Sequence, residues 1–383
     1  MTLSSIHIST PEAATGSLRA PRLLVAAGGT GGHVYPGIAI ANALCSLKPD
    51  AEAHFVGTRD RMEWDAVPKA GYGIDPVWIS GFHRHWTWKN LLFPFKLIVS
   101  LLQSLQILRR FRPDAVLCCG GFASGPIGWV AARMGIPLFL QEQNSYPGIT
   151  TRLLAKHATT VFTAFEEARP WLPDVQVRNV GNPVRTGLNK LDRSEGCARF
   201  GLQEDRTTLL IMGGSGGART IRDAVLANLE ELHDRQGLQI LWPCGHAYHT
   251  DLAAELDPER WPQLRLVPYI DDMAAAYAAS DLVVSRAGAI SLSELMVTGK
   301  PSILIPSPFV AGDHQMRNAE AMTAHGAAQL LPDLQATERL AQVVQEMLAD
   351  PDTLKTMGDA AQSLSRPDAA KTIAITLLEQ INR

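Results

Sequence analysis

One pattern, Leu-x-x-x-Gly-Gly-Ser/Thr-Gly-Gly, occurs twice in the chain, at Leu24–Gly32 and again at Leu209–Gly217. In the first copy a short apolar run, Leu23 to Ala27, reads as a buried strand, and Gly28 to Gly32 force a tight turn. His33 follows at once, and from Pro36 to Leu47 the apolar residues Ile38, Ala41, Leu44 and Cys45 recur at helical spacing. Two strand–loop–helix openings of one design predict two similar α/β domains, each presenting its glycine loop at the carboxyl edge of a doubly wound parallel sheet. The crevice between them is the expected site, with loop amides facing an anion or a sugar. The glycines do not fall at G-x-G-x-x-G, and no Gly-Lys-Ser/Thr follows, so neither the dinucleotide fingerprint nor a Walker A loop is present.

Length agrees with that division, because 383 residues exceed one ordinary core and suit two domains of roughly 150 to 200 residues. A hydrophobic share of 46% with 19% charged residues describes a soluble globular protein whose surface is somewhere rather apolar. The net charge of -3 gives no reason to expect nucleic acid as partner. Cys45, Cys118, Cys119, Cys197 and Cys244 are odd in number and lack a C-x-x-C pair, which speaks against a disulfide framework or a zinc site and fits a reducing cytoplasm. Residues 1–20 are polar, contain Glu12 and lack an apolar stretch, so a loose tail is expected and not a signal peptide.

Further strands are expected at Ala53–Gly57, Ala115–Cys119, Pro137–Gln141, Thr159–Thr163 and Val175–Gly181. The turn Gly181-Asn182-Pro183-Val184-Arg185 then marks a domain boundary, giving 21–184 and 185–362. Beyond it, strands at Gln239–Trp242, Leu264–Pro268, Leu282–Ser285 and Ser302–Pro306 alternate with helical patterns. The end of the chain reads as helical with breaks near Pro351 and Pro367, and residues 363–383 are expected to pack back across the first domain.

The stretch from Pro76 to Pro113 has no acidic residue. Arg84, Lys89, Lys96, Arg109, Arg110 and Arg112 are interleaved there with Phe82, Trp86, Trp88 and Phe93, a composition that suits an anionic bilayer surface. Leu91–Leu108 is interrupted by Pro94, Lys96, Ser100, Gln103, Ser104 and Gln106, which leaves it near the lower length limit for a span, so spanning is not expected. Leu97, Leu101, Ser104, Leu105 and Leu108 also fit a core helix, and both readings hold together if one face packs while Phe82 to Phe95 meets lipid.

Polar residues gather at strand ends. Glu142 to Gly148 (EQNSYPG) offers a carboxylate, amides and a hydroxyl to a sugar or peptide, although Asn144 and Ser145 also suit helix capping. Ser285 to Glu294 (SRAGAISLSE) reads as a strand end, a small-residue turn and a helix start, where the helix N-terminus favours diphosphate and Glu294 can accept from a ribose diol or complement the helix dipole. Gly312 to Asn318 (GDHQMRN) adds a His and amides, with Asp313 placed as a helix cap.

In this order, GGTGGH, GGFASGP, EQN, GNPVR, GGSGGAR, YIDDM, SRAGAISLSE and DHQMRNA resemble the MurG family over about residues 22 to 330. The resemblance implies the two-domain GT-B fold and an inverting glycosyltransferase that moves N-acetylglucosamine from UDP-N-acetylglucosamine to the 4-hydroxyl of lipid I. The product is lipid II, in peptidoglycan biosynthesis, with consequences for cell shape and division. It implies peripheral residence at the cytoplasmic face of the cell membrane, no cofactor, no metal, and association with an anionic inner leaflet and other cell-wall assembly proteins. Carried over by position, donor contacts fall on Thr30, Gly31, Gly32, Asn144, Arg185, Ser215, Ile270, Ala289, Ile290, Ser291, Leu292, Ser293, Glu294 and Gln315. Membrane contacts fall on Phe82, Trp86, Trp88 and Phe93.

Many members of that family carry His before Glu-Gln-Asn, whereas this chain has Gln141, which cannot act as a base at neutral pH. His33 is then the expected general base and Glu142 the reserve, with a loop-holding role for His33 as the alternative. The one D-x-D triplet, Asp350-Pro351-Asp352, lies far from these motifs. Rival readings are a UDP-N-acetylglucosamine 2-epimerase and a diacylglycerol glycosyltransferase of the same fold.

Overall fold

The structure is a computed structural model that describes residues 19–381 apart from 60, 82–91 and 215–216. Most of the expected tail, together with Phe82, Trp86, Trp88 and Ser215, lies outside the described residues. The first seven strands are β1 (Arg22–Ala27), β2 (Glu52–Gly57), β3 (Gly73–Pro76), β4 (Ala115–Gly120), β5 (Leu138–Glu142), β6 (Thr160–Thr163) and β7 (Val177–Asn179). A further six are β8 (Thr207–Met212), β9 (Leu238–Pro243), β10 (Leu264–Val267), β11 (Leu282–Ser285), β12 (Ser302–Leu304) and β13 (Gln329–Leu330). They form two sheets of parallel strands, ordered β3-β2-β1-β4-β5-β6-β7 and β10-β9-β8-β11-β12-β13. The chain leaves β1 toward one edge and returns past it to β4, and it does the same around β8 and β11. Both glycine loops therefore leave strands that border a topological switch point, where an open α/β sheet parts its helices and leaves a crevice.

Helices cover both faces, which explains why the strands read as unbroken apolar runs. Leu23, Val25 and Ala27 point into one cluster while Leu24 and Ala26 point into another. Leu209 and Ile211 are likewise separated from Leu210 and Met212. A strand buried on both sides has no polar face to alternate with. The edge strands β3 and β13 were not foreseen, because Gly73-Ile74-Asp75-Pro76 is short and half-polar and β13 has two residues. β7 is shorter than the run expected from Val175 to Gly181.

The first helix corrects the reading more deeply. It spans Gly31–Leu47, so Gly31, Gly32 and His33 form its first turn instead of lying in a loop. Pro36 inside it lacks the N–H that would bond Gly32, and glycine disfavours helix, which is why the sequence places the start at Pro36. The last helix, Ala369–Ile381, lies against Gly31–Leu47 and inserts Ile373, Ala374 and Leu377 into the cluster of Leu23, Val25, Val34 and Phe55. Arg178 donates to Thr376 at 2.7 Å from the edge of the first sheet.

Above β1 and β4 two backbones nearly touch. Gly120 and Gly121 have φ of 106° and 82°, a region that L-residues rarely occupy. A Cβ on Gly121 would sit 2.3 Å from the Gly28 carbonyl oxygen, and one on Gly120 would sit 2.6 Å from the His33 ring. We expect Gly121→Ala to lower the unfolding free energy by roughly 2 kcal/mol or more, combining the φ penalty with a backbone clash. Urea denaturation checks this, and an unchanged midpoint would show that the loops are free to separate.

Candidate functional site

Glu63, fully buried in the helix Glu63–Lys69, organises the first glycine loop. Its carboxylate accepts from the Gly29 N–H at 3.0 Å and from the Thr58 N–H and hydroxyl at 3.0 and 2.9 Å. Three donors on one carboxylate offset its burial and fix the loop that leads to His33. No reading of the sequence singled Glu63 out. The only signal was an acid a few residues after a strand end, and the nearby Asp60 shares that signal.

The half-buried His33 is held by the same loop. Its Nδ1 lies 3.0 Å from the Gly28 carbonyl oxygen and 3.3 Å from Thr30 Oγ1. A carbonyl only accepts, so Nδ1 carries the proton and Nε2 keeps the lone pair. The Cβ that Gly120 lacks would sit 2.9 Å from Nε2, so glycine at 120 leaves that nitrogen approachable. Burial lowers the His33 pKa below its ordinary 6.5, against the pull of the Gly28 carbonyl and the Glu142 charge, while His314 adds to the lowering. The exposed Thr30 caps this helix with extended backbone but without a side-chain bond, and no acid occupies the first turn. The positive end of the helix is thus left for an anion.

Glu142 is buried at the end of β5 with both oxygens engaged. One accepts from the Asn144 backbone and side-chain amides at 3.1 and 3.2 Å, the other from the Gly148 N–H at 3.0 Å. This arrangement shapes the 142–148 loop. Asn144 and Ser145 do not cap a helix; both bond to Asn318 of the helix His314–Ala324. The Asn318 amide oxygen accepts from the Ser145 N–H and hydroxyl at 2.9 and 3.0 Å, and its nitrogen donates to Asn144 at 3.2 Å.

A second amide, Asn182, joins the same two sheets from the Gly-Asn-Pro turn. It accepts from Gln141 Nε2 at 2.9 Å and places its own nitrogen 3.0 Å from both the Gln143 carbonyl and Ser293 Oγ. Gln143 donates to the Cys119 carbonyl at 2.6 Å and lies against the Gln141 amide oxygen. Gln141, 1% exposed, is thus a buried strut between β4, β5 and the turn.

On the other wall, Glu294 sits in the helix Ala289–Thr298, whose N-terminus also lacks a side-chain cap and an acid in its first turn. One carboxylate oxygen accepts from the Tyr277 hydroxyl at 3.0 Å. The other lies 3.0 Å from Arg185 Nε, yet it has no hydrogen bond of good geometry. We take this as an electrostatic contact that leaves a buried lone pair unmet. Burial raises the Glu294 pKa despite Arg185 and Tyr277, and burial beside Glu294 raises the Tyr277 phenol well above 10.0. For Arg185, burial works downward but is outweighed by Glu294 and two tyrosines, and the guanidinium is held more firmly protonated.

Among the remaining carried-over positions, Ile290 and Ser291 are half-exposed on that first turn, whereas Ala289, Leu292 and Ile270 are core residues. Ser293 is turned toward Asn182 and the Ala289 carbonyl. Gln315 follows Gly312 and Asp313, both left-handed at φ 67° and 54°, and its amide oxygen accepts from the Ser307 N–H at 2.8 Å. Asp313 occupies the cap position without making a capping bond. Asp350 of the D-x-D triplet caps the helix Pro351–Ser363 through the N–H groups of Asp352 and Thr353.

Phe93 turns partly inward against the core, and Leu97, expected inside, is exposed. Besides Leu97, the large apolar residues exposed on the helix Phe93–Phe111 and its cap are Leu92, Phe95, Ile98 and Leu102. Among the described residues no helix is long and apolar enough to cross a membrane.

Residues 23–163 match the glycosyltransferase family 28 N-terminal domain, and residues 208–373 match the family 28 C-terminal domain. A Salinibacter ruber protein named UDP-N-acetylglucosamine–N-acetylmuramyl-(pentapeptide) pyrophosphoryl-undecaprenol N-acetylglucosamine transferase is 43% identical over 96% of this chain and 99% of its own. A Christiangramia forsetii protein of the same name is 42% identical over 94% and 98%. The crystal structure of Acinetobacter baumannii MurG superposes with a TM-score of 0.75 at 26% identity, covering 94% of this chain and 99% of that one. A Neisseria meningitidis UDP-GlcNAc 2-epimerase superposes at 0.65 with 17% identity over 94% and 100%, a likeness of fold alone.

Because the raised Glu294 pKa means that the folded state holds this proton more tightly than the unfolded chain, the contribution of Glu294 to stability falls as pH rises from about 4.5 through the folded value. Relative to wild type, Glu294→Gln should therefore be no different below that window and more stable above it. Thermal unfolding of both proteins from pH 4 to 8 tests this, and a wild-type advantage at neutral pH would mean that Arg185 outweighs burial.

Proposed function

Because the chain belongs to the family of UDP-N-acetylglucosamine–N-acetylmuramyl-(pentapeptide) pyrophosphoryl-undecaprenol N-acetylglucosamine transferases, we propose that it moves N-acetylglucosamine from UDP-N-acetylglucosamine onto the 4-hydroxyl of the muramoyl sugar of lipid I. The products are lipid II and UDP, for peptidoglycan synthesis and, through it, cell shape and division. Residues 21–184 form the acceptor and membrane domain, 185–362 the donor domain, and 363–383 return to the first.

The observation that carries the chemistry is the orientation of His33. Nδ1–H is spent on the Gly28 carbonyl, Nε2 is a lone-pair acceptor, and Gly120 keeps the approach to it open. Nε2 takes the proton of the acceptor hydroxyl as its oxygen attacks the anomeric carbon from the face opposite UDP, inverting the configuration. Glu142, bonded into its loop, favours the imidazolium that forms. Negative charge growing on the β-phosphate meets the uncapped N-terminus of Ala289–Thr298, with Arg185 beside it, while the unmet oxygen of Glu294 accepts from the uridine ribose. Thr30, Gly31, Gly32, Asn144, Ser215, Ile270, Ile290, Ser291, Leu292 and Gln315 complete the donor contacts.

Purified protein should release UDP from UDP-N-acetylglucosamine only when a short-chain lipid I analogue is supplied, with a disaccharide as product. Release without acceptor, accompanied by N-acetylmannosamine, would replace this reading with the epimerase. His33→Ala should lower turnover by about 10² to 10⁴-fold. Since the lowered His33 pKa keeps the imidazole neutral to lower pH, the acid limb of kcat/KM should fall below pH 6.5. A limb above 6.5 would assign the base elsewhere.

The protein rests peripherally on the cytoplasmic face of the membrane through the exposed stripe Leu92, Phe95, Ile98 and Leu102, with Lys96 among them. Phe82, Trp86, Trp88 and Phe93 extend this contact in the proposal. Flotation with anionic vesicles should drop at least severalfold in Leu92→Ser/Phe95→Ser/Ile98→Ser. Equal flotation would remove this surface from membrane contact.

A further inference from the structure

Two hollows lie on the first domain, away from the Glu294 wall, and share one boundary. A cavity of about 820 Å³ reaches from Gly29, in the loop that leads to His33, to Arg59 and Arg61. A second, of about 760 Å³, continues from Arg59 and Arg61 to Lys96, Trp78 and Phe122. Together they make one trough that begins at the reaction loop and ends at the helix Phe93–Phe111. There Trp78 meets Phe95 edge-on at 5.9 Å, and Phe95 belongs to the exposed apolar stripe.

The charge along this trough is one-sided. Arg59 and Arg61 are exposed, and their side chains make no ion pair or hydrogen bond among the described residues. Lys96 donates to Ser80 Oγ at 3.0 Å and lies 5.6 Å over the Trp78 ring, which fixes its ammonium at the far end. Asp65 is the one carboxylate on the described lining. Some exposed arginines find partners, as Arg110 does with Asp75 and Arg199 with Asp272, while the side chains of Arg109 and Arg112 have none among the described residues; what sets Arg59 and Arg61 apart is that both line the two hollows. Two arginines on either side of residue 60, with side chains unpaired among the described residues and Trp64, Trp78 and Phe122 on the same lining, suit an incoming anion, for which the guanidinium fork is the apt donor.

We infer that this trough binds the diphosphate of the lipid-linked acceptor, with Arg59 and Arg61 on the phosphates and Lys96 where the lipid chain leaves for the membrane. The inference rests on the transferase reading above. In the acceptor, the reacting hydroxyl and the lipid tail are joined through the sugar and its diphosphate. A channel that starts at Gly29, in the loop leading to His33, and ends beside the apolar stripe suits that connecting segment. The peptide leaves from the sugar carbon next to the reacting one and need not follow this path.

Steady-state kinetics with a short-chain lipid I analogue test it. Arg59→Ala/Arg61→Ala should raise the acceptor KM about tenfold to hundredfold, the loss of two charge-assisted contacts, while KM for UDP-N-acetylglucosamine stays where it was. The penalty should persist when the peptide carboxylates of the analogue are amidated. It should vanish when an uncharged linker replaces the diphosphate, since wild type then has nothing for the arginines to hold. A penalty abolished by amidation would place the peptide in the trough, and an unchanged acceptor KM would leave the trough without the acceptor; either overturns the inference. Wild-type protein that transfers to no analogue would instead overturn the transferase reading, and this assignment with it.

Discussion

Two buried asparagine side chains hold the halves of this protein together, and the geometry of the site depends on them. Asn182 and Asn318, 2% and 0% exposed, each reach from one sheet to the other and leave no polar atom stranded in exchange for their own burial. An amide is suited to this because it donates and accepts at once, so one residue can satisfy a carbonyl on one side and a hydroxyl on the other. Asn182 locks the ends of β4 and β5 to the helix that carries Glu294. Asn318 locks the Glu142 loop to the helix that carries Gln315. The wall bearing His33 and the wall bearing Glu294 and Gln315 are thereby set opposite each other by hydrogen bonds of fixed length, where an apolar interface would slide more freely.

Within that frame, burial shifts the pKa values of His33 and Glu294 in opposite directions. It disfavours the charged imidazole of His33 and so keeps a free lone pair available at neutral pH. It also disfavours the Glu294 carboxylate, which is retained at a cost in stability with one oxygen unsatisfied. Glu63, by contrast, is buried just as deeply but fully bonded, and its role is to hold backbone. Two acids of similar depth, Glu63 and Glu294, thus differ in how completely their hydrogen bonds are met.

Much of the architecture was legible because its signals are local. Doubly buried strands write themselves as apolar runs, and a glycine loop written twice gives two sheets and their switch points. What escaped was set by neighbours distant in sequence. The helix begins at Gly31, against its glycines and Pro36, because packing overrides propensity. Gln141 could be excluded as a base from its chemistry, but its role as a strut needed Asn182, 41 residues away. Phe93 and Leu97 exchange inside for outside, since an amphipathic helix with large residues all round can rotate to suit the sheet beneath it. Asn182 and Asn318 lie in stretches the sequence does mark, the Gly-Asn-Pro turn and GDHQMRN, but only the meeting of two sheets gives their amides the work of struts; Tyr277 carried no mark and is placed by its bond to Glu294, 17 residues away.

The helix Ala369–Ile381 has a consequence for how the chain is made. It completes the core of the first sheet, yet about 190 residues separate it from β7, the last strand of that sheet. During synthesis at about 5 to 20 residues per second, the apolar face formed by Leu23, Val25, Val34 and Phe55 therefore waits roughly 10 to 40 s for its cover. The first half emerges from the ribosome as an unfinished domain with a sticky flank, and it reaches its native packing only when the last helix has been released. Nascent chains stalled before residue 369 should consequently be the species that chaperones bind.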